Sequence, residues 1–275
     1  MGLRIATNVA SIAAQRNLGK SDKIFGHAVR ELASGTKMVT PGDDAAGFAI
    51  AEGLRGQAAS LKQAKRNAEN ATGLIQVAEG GLNEQNNILI RLRELAIQSA
   101  SDTVGNEERE FLETEFQQLV QEFDRIAVTT KFGNKPLLSG SNEEFDFHLG
   151  TGGEASDVIK YKLDSDTRAS SLGVDGLSVS SKSDANDSLE SIDESMIKLA
   201  QARSGFGAIQ SRLEIAGNNL DLQRENVLAA RSRIADTDIA ESVSEMTRGR
   251  ILQEFGTSVL AQANSSPMAA LKLLG

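Results

Sequence analysis

Between Asp44 and Ser99, apolar and small residues recur at alternating steps of four and three: Ile50, Leu54, Gln57, Leu61, Ala64, Ala68, Ala71, Ile75, Ala78, Leu82, Gln85, Leu89, Leu92, Ala96 and Ser99. This is a heptad seam, the period that keeps one stripe of a helix turned toward a partner. No proline interrupts it, and at 1.5 Å per residue such a helix would be roughly 80 Å long. Gln57 and Gln85 are polar breaks in a seam otherwise built mainly of Leu, Ile and Ala. Gly53, Gly56, Gly73, Gly80 and Gly81 each cost about 1 kcal/mol relative to Ala, so the helix depends on partners elsewhere in the chain.

Those partners follow from the same pattern. Ile5, Val9 and Ile12, then Ile24, Phe25, Ala28 and Leu32, predict an amphipathic segment over 3–33. Gly35 suits the position after a helix C-terminus, Pro41-Gly42 marks a turn, and Asp43 and Asp44 suit an N-cap before the long helix. Leu112, Phe116, Leu119, Phe123 and Ile126 predict a shorter helix folded back antiparallel on the long one. Phe145, Phe147 and Leu149 alternate with period two, as do Ile159, Tyr161 and Leu163, and so predict a β-hairpin near 145–163. Residues 164–188, rich in Ser and Asp, read as an exposed loop. Helical spacing returns from Ala185 through Leu220 to Ile234, a second long helix. After Ala235-Asp236-Thr237-Asp238, a final amphipathic helix carries Ile239, Val243, Met246, Ile251, Phe255 and Val259, and the chain closes on the apolar run holding Leu271 and Leu274. The expected fold is mainly α: an elongated antiparallel coiled-coil or helical-bundle rod with a small β-hairpin region. Its terminal helices should meet, and their apolar faces predict self-association.

Composition narrows the chemistry. The 275 residues carry a net charge of −9, no Cys, no Trp, one Tyr and three Pro. Without Cys there is no disulfide and no thiolate chemistry. With so few aromatics, a thin helical bundle fits better than a thick core. Residues 101–200 hold 21 acidic and 9 basic side chains, a net of −12, which argues against broad nucleic-acid binding. Residues 1–30 hold five basic and one acidic, a net of +4, best read as solvated charge on an amphipathic helix. No stretch approaches the roughly 20 apolar residues of a membrane span, so no membrane insertion is expected. No cleavable signal pattern opens the chain, which leaves the cytoplasm or a non-standard export route. His27 and His148 read as surface residues. Asp164-Ser165-Asp166-Thr167-Arg168 starts like a calcium loop, but Arg168 stands at an oxygen-ligand position. No metal, cofactor or catalytic site is expected.

Several stretches resemble bacterial flagellin, the subunit of the flagellar filament. Glu31-Leu32-Ala33-Ser34-Gly35 with Asp43-Asp44-Ala45-Ala46-Gly47 is similar to that family's N-terminal signature. Arg91 to Gln98 resembles a further conserved stretch, and Ser232 to Asp238, with Ile251-Leu252 and Gly256 to Asn264, resembles the closing signatures. The resemblance spans 1–140 and 185–275. It implies an inner-tube layer formed by residues 1–44 and 236–275, and an outer rod formed by 45–235. It further implies a homo-polymer, a helical filament outside the cell. The chain would be exported unfolded through the flagellar type III channel without a cleavable signal peptide. An export chaperone and cap and junction proteins are the implied partners. The residues placed in polymerisation are Ile5, Val9, Ile12, Ile239, Val243, Met246, Ile251, Phe255, Val259, Leu271 and Leu274. Arg91, Leu95 and Glu115 match positions that contribute to recognition by Toll-like receptor 5, and Arg91 and Leu95, four apart, share a helical face. A flagellar hook–filament junction protein sharing these termini, and a secreted coiled-coil effector, are the alternatives; the closing signature favours the filament subunit.

Overall fold

The computed structural model describes residues 7–140, 144–162 and 165–271. Ile5, Leu163, Asp164 and Leu274 lie outside the described residues, and Leu271 is described by its backbone alone. The described helices are α1 (Val9–Ser34), α2 (Ala45–Ala100), α3 (Asn106–Thr129), α4 (Ala169–Leu172), α5 (Lys182–Ala235) and α6 (Ile239–Leu271). The strands are β1 (Lys131–Phe132), β2 (Lys135–Pro136), β3 (Glu144–His148) and β4 (Val158–Lys162). The chain is thus mainly α with two small antiparallel strand pairs, β1 with β2 and β3 with β4. It divides into two compact units, one running to Ala58 and resuming at Asn226, the other spanning Ala59–Glu225.

In the unit spanning 59–225 the seam holds throughout. Leu61, Ala64, Ala68, Ala71, Ile75, Ala78, Leu82, Gln85, Leu89, Leu92, Ala96 and Ser99 are all buried on α2. Phe116, Val120, Phe123 and Ala127 of α3 and Ile192, Leu199, Phe206, Ile209 and Leu213 of α5 are likewise buried. Buried Arg109 fixes the α2–α3 turn: its guanidinium donates to the carbonyls of Ser99 (2.9 Å) and Ser101 (3.0 Å) and to Asn106 Oδ1 (2.9 Å). The β3–β4 hairpin pairs Phe145 with Tyr161 and Phe147 with Ile159, the alternation expected from sequence. Tyr161 lies against Phe206, ring centroids 5.8 Å apart. The β1–β2 pair, turning on Gly133 at φ 60°, was not expected.

Of the stretch 164–188, the described residues 165–188 are not an exposed loop. Thr167, Ala169, Leu172, Val174, Val179 and Ala185 are buried, α4 forms over four residues, and α5 already starts at Lys182. The segment is a strap held by side chains of the helices bonding to its backbone. Gln85 Nε2 donates to Thr167 O (3.0 Å) and Ser195 Oγ to Leu172 O (2.9 Å). Gln117 Nε2 donates to Leu177 O (2.8 Å) and Ser99 Oγ to Val179 O (2.5 Å). In return, the strap's Ala169 N–H donates to Asp124 (3.2 Å) and its Val179 N–H to Glu113 (2.5 Å). Buried peptide groups need such partners, and the polar residues of the α2 seam supply two of them. Asp166 belongs to this strap and not to a calcium loop: it accepts hydrogen bonds from Arg168 Nη2 and Ser171 Oγ, both at 2.6 Å. Among the described residues no group of His, Cys, Asp and Glu is arranged to hold a metal.

The other unit joins α1, the first turns of α2, the end of α5, and α6. Gly35 ends α1 at φ 71°, in the left-handed region, and its N–H reaches Glu31 O at 2.8 Å. Asp44 caps α2, accepting from the N–H groups of Ala46 (3.1 Å) and Gly47 (3.0 Å). Asp43 instead closes the connector, accepting from Thr40 N–H (2.8 Å) and Val39 N–H (3.1 Å). The Thr40 bond chiefly holds the Asp43 carboxyl below its ordinary range. The two connectors pair: Lys37 N–H donates to Ala235 O (2.8 Å) and Thr237 N–H to Gly35 O (3.2 Å). Beside them Met38, Ala51 and Ala235 form a small core with Phe48 and Ile234. Here the predicted seam fails by one position. Ile50 is 53% exposed and Gln57 is exposed, while Ala51 and Ala58 are buried.

Candidate assembly surface

α1 and α6 lie against each other. The residues they bury are small or polar: Ser11, Ala14, Ser21, Ala28 and Glu31 on α1 and Ser242 on α6. α1 comes close to α6 at two glycines. A Cβ on Gly249 would fall 3.1 Å from the backbone of Phe25, and one on Gly256 would fall 3.1 Å from Leu18 Cδ1. Bonds across the pair run from Asn8 Nδ2 to Ala263 O (2.7 Å), Ser11 Oγ to Asn264 Oδ1 (2.7 Å), Gln253 Nε2 to Asp22 Oδ1 (2.8 Å) and Ser242 Oγ to Glu31 Oε2 (3.2 Å). Asp238 caps α6, accepting from Ala240 N–H at 2.8 Å.

Leu18, Phe25 and Leu32 of α1 are half-buried, but many of the large apolar residues of these helices are exposed. Val9 is 66% and Phe255 68% exposed, and Ile12, Ile239, Val243, Ile251 and Val259 are exposed as well; Met246 is half-buried. Ile24 and Val29 of α1 and Leu252 of α6 are exposed too. Ile251 and Leu252 line a shallow depression of about 450 Å³ with Ser244, Thr247 and Arg248. Single exposed apolar residues are ordinary, whereas a contiguous series along a helix pair marks an interaction surface.

His27 is not a free surface residue. It is half-buried, with Nδ1 3.3 Å from Glu31 Oε1 and Nε2 3.3 Å from Asp43 Oδ1, so it ties α1 to the connector. His148 is exposed, and its carbonyl accepts from Asn67 Nδ2 at 2.9 Å.

In the 59–225 unit the structure brings together two of the three residues assigned to receptor recognition. Arg91 Nη2 lies 2.7 Å from Glu115 Oε1, both half-exposed, and Arg91 Nη1 lies 3.0 Å from Glu94. Hydrogen bonding to Glu115 holds the Arg91 guanidinium further above its ordinary range. Leu95 does not share that exposed face: it is fully buried. Position 95 follows the buried Leu92 by three and neighbours Ala96, so it widens the packed stripe between α3 and α5. Phe111, one turn before Glu115 on α3, is 76% exposed; its period on that helix could have flagged it.

Comparison with known proteins agrees with this arrangement. The model of the bacterial flagellin N-terminal helical region matches residues 5–143, and that of the C-terminal helical region matches residues 189–274. The chain is 39% identical over 268 residues to a flagellin of Halalkalibacterium halodurans, covering 97% of this chain and 98% of that one. It is 36% identical over 281 residues to a flagellar filament core protein of Treponema maltophilum, with the same coverage. The crystal structure of Bacillus cereus flagellin superposes with a TM-score of 0.51 at 27% identity, covering 60% of this chain and 94% of that one. Each matched region contains one of the two terminal helices and the connector next to it, and on this evidence the chain belongs to the bacterial flagellin family.

Proposed function

We propose that this chain is the structural subunit of a bacterial flagellar filament and that it polymerises through α1 and α6. The observation that carries the reading is the inverted packing of that pair: small residues bury, while Val9, Ile12, Ile239, Val243, Ile251, Phe255 and Val259 face out. Covering such a surface with further copies removes apolar area from water, worth about 25 cal/mol per Å². In this reading residues 1–44 and 236–275 form the inner layer and 45–235 the outer one. Flagellin is a structural family, and the chain is read as carrying no catalytic site and no cofactor. No helix among the described residues is long and apolar enough to cross a membrane. Its place is the flagellum outside the cell, reached by unfolded export through the type III channel with a chaperone, and with cap and junction proteins as assembly partners. Polymerisation of the purified full chain, viewed by negative-stain microscopy, tests this. Fibres are expected from the full chain and none from a chain lacking residues 240–275; normal fibres from the shortened chain would overturn it.

The exposed Arg91–Glu115 pair supports a further partner, Toll-like receptor 5 of an animal host. In this reading Arg91 and Glu115 touch the receptor, and Leu95 keeps α2 seated beneath them. Monomer is expected to activate reporter cells more strongly than filament. An Arg91→Ala, Glu115→Ala variant should lose most activity while keeping its melt. Equal potency of the folded variant and the parent would remove the receptor from the partner list.

A further inference from the structure

The exposed side of α1 changes character along its length. Val9, Arg16, Lys23 and Arg30 follow one another at intervals of seven, with Ile12 and Lys20 beside them, so the six stand on one line of the helix. All six are exposed. The line is opposite to Leu18 and Phe25, which come against Gly256 and Gly249 of α6. Among the described residues Arg16, Lys20, Lys23 and Arg30 have no hydrogen-bond or ion-pair partner. His27, on the same line, is already taken up by Glu31 and Asp43. Cations in the 59–225 unit are accompanied: Lys65 by Asp221, Arg93 by Asp193 and Lys182 by Asp102. Like charges three and four apart on a helix repel, so the α1 row gains from an anionic neighbour.

α6 carries a counterpart. Glu241, Glu245, Arg248, Leu252, Phe255 and Val259 recur at alternating steps of four and three, and all six are exposed. This line is acidic at the connector end and apolar toward the other end. The α1 line is basic at the connector end and apolar at the other. Glu241 lies in the first turn of α6, where the helix dipole favours it. Glu245 lies a turn further on, and among the described residues neither carboxylate has a partner. Arg248 is the member of this line that does not fit the pattern.

We infer that the α1 line of one copy docks on the α6 line of a second copy, apolar end on apolar end and cations on carboxylates. The inference rests on the assembly reading above and names its contact. The two lines cannot meet within one chain, because α1 turns its opposite side to α6. A neighbour that covers Val9 and follows α1 next reaches Arg16, Lys23 and Arg30. Covering these cations without carboxylates would cost more than the apolar contact returns, so the neighbour must turn acidic beyond its apolar part, as α6 does. Leu18 meets Gly256 in the chain's own pair, so Val259 stands level with Gln15, six residues from Val9. Bringing a neighbour's Val259 beside Val9 therefore asks for an axial stagger of about 9 Å. The two lines are different surfaces of the subunit. Their contact is heterologous, the kind that propagates into a polymer or a ring and does not stop at a two-fold dimer.

Charge reversal on the full chain tests the contact. One variant carries Lys23→Glu and Arg30→Glu, the other Glu241→Lys and Glu245→Lys. Each alone sets like charge against like and should raise the concentration needed for fibre growth by about tenfold or more. An equimolar mixture should bring it back toward the parent's value, because each chain then finds its complement in the other; this restoration also excludes misfolding of either variant. At about 1 M salt, where the screening length falls to about 3 Å, the deficit of each single variant should shrink. Either variant growing fibres at the parent's concentration would overturn the inference and leave the assembly reading standing, as would a mixture that stays deficient while both variants melt with the parent. In that second outcome, binding of the parent to phosphatidylserine vesicles, lost on Lys23→Glu, Arg30→Glu, would give the α1 row to a lipid surface instead. A parent that forms no fibres would overturn both the inference and the reading it rests on.

Discussion

The two units of this chain pack by opposite rules. In the 59–225 unit the largest side chains are the deepest: Leu61, Ile75, Leu82, Leu89, Leu92, Leu95, Phe116, Phe123 and Phe206 are essentially inaccessible. In the unit containing α1 and α6, Ser11, Ala14, Ser21, Ala28 and Ser242 are inside, and Val9, Ile12, Ile239 and Phe255 are outside. A unit that buries its large apolar residues gains most of its stability within one chain. A unit that buries small residues gains little alone and keeps its apolar area for other molecules. The difference separates what folds the subunit from what the subunit is for, and it can be tested one residue at a time.

The largest effect is expected at Leu92, which is fully buried. Leu92→Asp places an unpaired carboxylate among three helices and should cost at least about 4 kcal/mol. At this size that is a loss of roughly 10 °C or more in melting temperature. Circular dichroism melting checks it; an unchanged melt would mean that Leu92 does not face the core.

Next is the strap. Gln85 is buried and its Nε2 donates to both Phe123 O (3.2 Å) and Thr167 O (3.0 Å), while its Oε1 has no partner. Gln85→Ala strands the Thr167 carbonyl, takes from Phe123 O the bond it accepts beside its helical one, and leaves a cavity, but also removes an unsatisfied oxygen, so a net loss of about 2 kcal/mol is expected. Hydrogen exchange should quicken over residues 165–181 before it does so in α2. Uniform exchange change across the unit would argue that Gln85 is only a space-filler.

These two residues also mark how far the sequence could be read. The seam around Leu92 was legible because its burial follows from local spacing, and the hairpin register followed in the same way from alternation. The strap was not legible. Its Ser- and Asp-rich composition looks like a loop, and its backbone partners, Gln85, Ser99 and Gln117, stand 60 to 82 residues away in sequence. The assembly residues were legible for an inverted reason. Val9, Ile12 and Phe255 drew attention as a seam, yet it is their small neighbours that pair within the chain. The same inversion displaced the start of the α2 seam, where Ala51 and Ala58 are buried in place of Ile50 and Gln57. Hydropathy alone cannot tell a face kept for one's own core from a face kept for another copy.

A smaller effect is expected from Asp166. The Arg168 guanidinium, followed by the Ser171 hydroxyl and the Arg168 N–H, holds its carboxyl well below the usual carboxylate range. A folded-state pKa depressed in this way stabilises above the unfolded value of about 3.9, and that contribution is lost as pH falls through the lower folded value. The pair is partly solvated, so Asp166→Asn should cost about 0.5–1 kcal/mol at neutral pH. The gap between variant and parent should close on acidification below pH of about 4. Melting the two proteins across pH 2–7 tests the sign; a gap that widens toward acid would reverse it.

The smallest effect on folding is expected where the effect on assembly is greatest. Val9 and Phe255 are two-thirds exposed. Exchanging surface residues of this kind shifts stability by no more than about 0.5 kcal/mol, so a Val9→Ser, Phe255→Ser variant should melt with the parent. If these side chains are kept for neighbouring copies, each buried contact is lost again at every subunit along the polymer. A deficit of about 1.5–3 kcal/mol per buried side chain, repeated at each addition, should raise the concentration needed for fibre growth at least tenfold, since 1.4 kcal/mol already corresponds to one factor of ten. The matching control inverts the experiment. Ala14→Val changes a small inward residue without touching the outward face, and overpacking there should cost about 1–3 kcal/mol by prising α1 from α6. Sedimentation of fibres against chain concentration, read beside the melt of each variant, separates the two. Fibres forming from the Val9→Ser, Phe255→Ser chain at the parent's concentration would show that the outward apolar residues are not what joins the copies, and the contrast between the units would then describe packing alone.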